Sequence, residues 1–150
     1  ISTSSSLQCR GSLPSAYGSV SNASRTLWLI HRASPYLSII DVDGLTVRDR
    51  LYIGPGATAL KFNPQSGLLY LSRRGVDVVE IYDPLSLLPV DSISVDGLIS
   101  FMNVDGETNR LHLLLPKLRE VRAISVVGKQ TVTTSEVDGQ PYWIAIEGEI

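Results

Sequence analysis

One pattern recurs through this chain with a period of 42 residues, locking in at Arg25 and needing no gap. Trp28, Tyr70 and His112 hold one position of it, inside Leu27-Trp28-Leu29, Leu69-Tyr70-Leu71 and Leu111-His112-Leu113. Two more positions repeat as Leu37/Val79/Val121 and Ile39/Ile81/Ala123, and the copies close on Ile53, Val95 and Val137. A chain written this way folds as one unit repeated, each copy burying its apolar face against the next.

The unit is clearest from Gly54 to Val95. Apolar runs at Ala57 to Phe62, Leu68 to Ser72, Val76 to Tyr82 and Pro89 to Val95 are rich in β-branched and aromatic residues. Between them stand Asn63-Pro64-Gln65-Ser66-Gly67, Arg73-Arg74-Gly75 and Asp83-Pro84-Leu85-Ser86. Runs of this length punctuated by Pro, Gly, Asn and Asp predict strands and turns, four strands to the unit. The first copy reads as strands at Thr26 to Ile30, Tyr36 to Asp41 and Val47 to Ile53. The third reads as Leu98 to Val104, Arg110 to Leu114, Val121 to Val126 and Thr131 to Val137. Four strands in about 40–45 residues is the period of a β-propeller blade. Two-helix repeats of similar length would space apolar residues every three or four positions, and Pro64, Pro84, Pro89 and Pro116 would interrupt them. The fold class expected is all-β, built of antiparallel four-stranded blades.

Gly54-Pro55 through Phe62, Asn63-Pro64-Gln65-Ser66-Gly67, Leu69-Tyr70-Leu71 and Ile81-Tyr82-Asp83 resemble the YVTN-type β-propeller repeat. The pattern decays on either side, since Ser21-Asn22 stands for Asn63-Pro64 and Ser125 for Asp41 and Asp83. The resemblance implies a propeller of a kind frequent in extracytoplasmic and cell-surface proteins, and says little about activity.

Residues 1 to 24 are rich in Ser and Gly and read as a leader. Within it, Pro14 to Val20 falls one period before Gly56 to Phe62, so a degenerate first inner strand and a plain tail are both open. Residues 25 to 150 carry the blades, and Tyr142-Trp143-Ile144-Ala145-Ile146 repeats the first strand of a fourth copy. Three blades and one strand fall short of the four to eight that close a ring, and open blade faces leave apolar surface and strand edges in water. Either the chain is part of a larger propeller, or two copies close a six-bladed dimer, the last strand of one completing the first blade of the other. A protein partner or self-association is therefore expected.

At 150 residues, 43 % apolar and 19 % charged, the composition is that of a globular domain. No run approaches the eighteen apolar residues of a membrane-spanning helix. A net charge of −2 and a pI near 5.6 give no chain-wide footprint for nucleic acid, so no nucleic-acid partner is expected. Cys9 is the sole cysteine and excludes an intrachain disulfide. Leu7-Gln8-Cys9 is a loose match to a lipid-attachment site, with Gln8 where a small residue belongs, and Asn22-Ala23-Ser24 is a formal glycosylation sequon.

In an antiparallel blade, the loop leading into the inner strand and the loop between the second and third strands share one rim. The second-to-third-strand loops bring His31-Arg32, Arg73-Arg74 and Lys117-Leu118-Arg119 there, and the loops into the inner strands bring Asp96-Gly97 and Asp138-Gly139. Arg32, Arg73, Arg74, Asp96, Lys117, Arg119 and Asp138 form the candidate binding rim, beside the plain reading that these are solvated loop charges. Tyr17, Ala59, Phe101 and Trp143 share an inner-strand position that either packs between blades or lines a ligand platform. A lectin would repeat an aromatic with an Arg and a carboxylate in every blade, which this chain does not. Asp41-Val42-Asp43-Gly44 resembles the start of a calcium loop, but Val-Asp-Gly recurs at Val95, Val104 and Val137, as turn chemistry would. His31 and His112, far apart in sequence, give no zinc spacing, and the haem, nucleophile-elbow and phosphate-loop motifs are absent. No catalytic residue, metal ligand or cofactor is expected. The function expected is a non-catalytic propeller segment acting as a scaffold or interaction surface. The alternatives are a piece of a propeller oxidoreductase, quinoprotein-like or haem-d1-like, with its catalytic residues elsewhere, and after it a carbohydrate-binding propeller.

Overall fold

The computed structural model describes residues 16–21, 25–139 and 141–146. Cys9, the Asn22 sequon and most of the leader lie outside the described residues, as does the side chain of Tyr17. Among the described residues, twelve strands fall into three sheets, each in sequential antiparallel order. The first holds β1 (Ala16–Ser21), β2 (Thr26–His31), β3 (Tyr36–Asp41) and β4 (Thr46–Tyr52). The second holds β5 (Ala57–Asn63), β6 (Leu68–Arg73), β7 (Val78–Tyr82) and β8 (Pro89–Ser94). The third holds β9 (Phe101–Asp105), β10 (Arg110–Leu115), β11 (Glu120–Ser125) and β12 (Thr131–Glu136). β1 lies in the leader and pairs with β2 from Ala16 opposite His31 to Ser21 opposite Thr26.

The sheets are propeller blades: β1, β5 and β9 stand side by side as inner strands, while β4, β8 and β12 face solvent along almost their whole length. The three blades do not close a ring. Trp28, Ile30, Leu37 and Ile39 of blade one meet Leu60, Leu69 and Leu71 of blade two in one apolar layer. Tyr70, Val79 and Ile81 of blade two meet Met102, Leu111, Leu113 and Ile124 of blade three in the next. Strand alternation sends odd and even residues of β6 to opposite neighbours, so Leu69, Tyr70 and Leu71 are all fully buried.

Local geometry repeats at the same period. In the turns between first and second strands, Asn63 Oδ1 accepts from the Gln65 amide at 3.0 Å and Asp105 Oδ1 from the Glu107 amide at 3.0 Å. Each such turn ends on a left-handed residue, with φ 52° at Arg25, 70° at Gly67 and 55° at Asn109. In the turns between third and fourth strands, Asp41 Oδ1 accepts from Asp43 N at 2.9 Å and Asp83 Oδ1 from Leu85 N at 2.8 Å. Leu45, Leu87 and Lys129 close those turns at φ 52°, 61° and 54°. A register shift stands at Ile39/Ile40, Ile81/Tyr82 and Ala123/Ile124, the same position of the third-to-fourth-strand pair in every blade.

Where no fourth sheet follows, the environment changes. His112 and Val121 are only half-buried at the positions where Tyr70 and Val79 are fully enclosed. Residues 141–146 run beside β9 without joining a sheet, although their sequence repeats an inner strand. A strand needs ladder partners, and none is present among the described residues beyond β9. The segment packs by side chain instead: Trp143 stacks on Phe101 at 4.5 Å, and Ile144 covers the apolar layer of blade three.

Candidate functional site

Repeat-equivalent residues from all three blades converge on one cleft of about 670 Å³. Arg32, Arg74 and Pro116 are one position of the repeat, immediately beyond the second strand. Thr58, Ser100 and Tyr142 are another, beside the start of the inner strand, and Phe101 and Trp143 share the next. Since antiparallel strands reverse direction, these positions come together on a single rim.

The rim residues named from sequence take different roles. Arg32 and Arg74 are exposed, line the cleft and have no ion-pair partner among the described residues. Arg73, the immediate neighbour of Arg74, is the last residue of β6, whereas Arg74 opens the turn that follows, and the two have different surroundings. The Arg73 guanidinium pairs with Glu80, donates to the Ile53 carbonyl, and reaches the Pro55 carbonyl at 2.9 Å. These contacts tie blade two to the connection arriving from blade one. The hydrogen bond that Arg73 donates to Glu80 is the main cause that raises its pKa above the ordinary value. In blade three the equivalent tie comes from Arg122, which donates to the Asp96 carbonyl at 3.3 Å and to Glu120 at 2.8 Å. Asp96 therefore contributes a backbone oxygen to the rim. Arg119 and Asp138 pair with each other at 3.3 Å in solvent, and Lys117 is exposed beside Pro116 without lining the cleft.

His31 also lines the cleft. Its Nε2 lies 2.9 Å from Ser38 Oγ, and its Nδ1 is buried without a partner among the described residues. Burial, and secondarily the charge of Arg50, lower its pKa below the ordinary histidine value. It is therefore a neutral group in a cleft whose charges come from Arg32 and Arg74. No Asp or Glu lines the cleft among the described residues.

Phe101 is buried behind Trp143 with the Lys61 ammonium 5.7 Å from its ring, so the exposed aromatic surface belongs to Trp143 and Tyr142, 49 % and 83 % accessible. A second groove of about 310 Å³ shares Arg32 and runs between Ser34-Pro35 and Pro55-Gly56 to Tyr52. There Tyr36 and Tyr52 meet edge to face at 5.4 Å, with the Arg50 guanidinium 4.7 Å from the Tyr36 centroid. On the opposite rim, Asp43 of the calcium-like turn accepts from Arg25 at 2.9 Å while Asp41 holds the turn amide. Those carboxylates serve turn and ion-pair chemistry.

Sequence reasoning found the two arginines and the aromatic position separately, and the structure joins them in one cleft. It missed the Thr58 and Ser100 hydroxyls and the part played by His31. The hydroxyls had a signal, since they stand 42 residues apart just before the inner-strand aromatic position.

No protein-family model and no curated sequence matches the chain. Solved structures do match: Kuenenia stuttgartiensis hydrazine synthase aligns with a TM-score of 0.69 and 14 % identity, over 85 % of this chain and 37 % of that one. Dihydro-heme d1 dehydrogenase NirN in complex with DHE aligns at 0.68 and 13 %, over 83 % and 28 %. The chain thus spans well under half the length of either, and at such identity the likeness is one of fold: propeller blades, part of a ring.

Proposed function

We propose that this chain is a non-catalytic propeller segment whose working surface is the rim bearing Arg32 and Arg74, a binding face rather than an active site. The carrying observation is that repeat-equivalent residues of all three blades line one cleft. A rim position repeated for packing alone would be spent inside the blade stack, whereas Arg32 and Arg74 stand in solvent. The open end faces, marked by half-buried His112, Val121 and Leu29, call for cover by another chain, by further blades or by a second copy. The compartment we assign is extracytoplasmic, on the resemblance of blade two to YVTN repeats.

Purified in its native assembly, the protein is expected to be heavier than the 16.3 kDa of this chain and to show no visible absorption. Light scattering and a spectrum together check this. A lone 16.3 kDa monomer would overturn the need for cover, and a reversibly reducible chromophore would replace this reading with the oxidoreductase alternative.

A further inference from the structure

The geometry points to an acidic peptide segment of a protein partner as the ligand of this rim, its carboxylates held by Arg32 and Arg74 and its apolar part laid against Trp143. The inference rests on the reading of this rim as the binding face and adds the chemistry of what is bound.

Two guanidiniums one period apart, with no ion-pair partner and no lining carboxylate among the described residues, select for negative charge. Guanidinium forks favour planar oxyanions that accept two parallel hydrogen bonds, which describes Asp and Glu side chains. The site is an open trough: Tyr142 and Trp143 remain largely in solvent, whereas small-molecule pockets enclose most of their ligand. Arg32 is common to the cleft and the second groove, so one extended ligand can lie from Trp143 past Arg74 and Arg32 toward Tyr52. Exposed aromatic side chains at both ends of that path supply the rigid anchors that interfaces favour. A nucleic acid would need many phosphate contacts and would meet a chain of net charge −2, whereas a short acidic peptide needs the two cations that are present.

The test uses hexaglutamate as probe, followed by calorimetry and by Trp143 fluorescence, with hexalysine, a thymidine oligonucleotide and inorganic phosphate in parallel. Hexaglutamate is expected to bind, more weakly as salt rises, and the other three to bind more weakly or not at all. Arg32→Gln and Arg74→Gln are each expected to lower affinity by about tenfold, and the double variant further. Arg25→Gln, which removes a cation paired on the opposite rim, is expected to leave binding unchanged. The inference is overturned if hexaglutamate does not bind, if it binds the double variant as well as the parent, or if the oligonucleotide or phosphate binds better. The mass and spectrum of the native assembly are independent of these results, so the binding-face reading survives a failed peptide test.

Discussion

Arg73 and Arg74 are adjacent, identical and equally visible in sequence, yet Arg73 ends β6 and is held by Glu80 while Arg74 opens the turn beyond it, which gives one a structural and the other a surface role. Arg73→Ala removes the Glu80 pair and the bonds to the Ile53 and Pro55 carbonyls, and is expected to cost about 2–3 kcal/mol. Arg74→Ala, which breaks no ion pair among the described residues, should stay within about 0.5 kcal/mol. Urea unfolding of both variants checks the contrast, and equal losses would contradict it. His31 gives a second residue-scale test. Its folded pKa is depressed, so below an unfolded value of about 6.5 the unfolded chain binds the proton more readily. The stability it contributes is present above that pH and is lost as pH falls through the folded value. The unfolding midpoint of His31→Gln should therefore fall less steeply on acidification than that of the parent; parallel curves would refute the assignment. In sequence, His31 is one of two isolated imidazoles, and nothing there reveals that its Nε2 meets the hydroxyl of Ser38 on the neighbouring strand β3.

Strand positions were legible at the level of elements because apolar runs and turn residues alternate in register with the repeat. The bulges at Ile39, Ile81 and Ala123 were not. The left-handed residues that turn the chain after them in each hairpin are Leu45, Leu87 and Lys129, which carry no turn signal of their own. What specifies those turns is the side-chain acceptor at Asp41 and Asp83, four residues earlier, closing the loop onto its own amides. Leu45 belongs to neither apolar layer, so Leu45→Gly relieves a left-handed β-carbon at little packing loss. It is expected to stabilise by about 0.5 kcal/mol after the glycine entropy is subtracted. Thermal melting checks this, and a destabilised variant would show that Leu45 packs usefully after all. Residues 141–146 illustrate the limit of pattern reading, since an inner-strand sequence becomes a strand only where a sheet receives it.

The blade architecture of the whole molecule was legible from the 42-residue period, because only neighbours can bury the apolar faces that each copy presents. The cleft was only half legible: its arginines and aromatics repeat, but their convergence depends on how adjacent blades are splayed. Among the described residues, blade two alone has another blade on each face, and Leu71→Ala within it, at 0 % exposure, should cost about 3 kcal/mol in chemical denaturation. The same asymmetry sets where the fold opens first. Amide hydrogen exchange read strand by strand is the most direct check that three blades support one another in this order. The slowest exchange is expected in β6 and β7, with β4 and β12 much faster. Exchange that is uniform across the three blades, or fastest in the second, would contradict a propeller segment built outward from its middle blade.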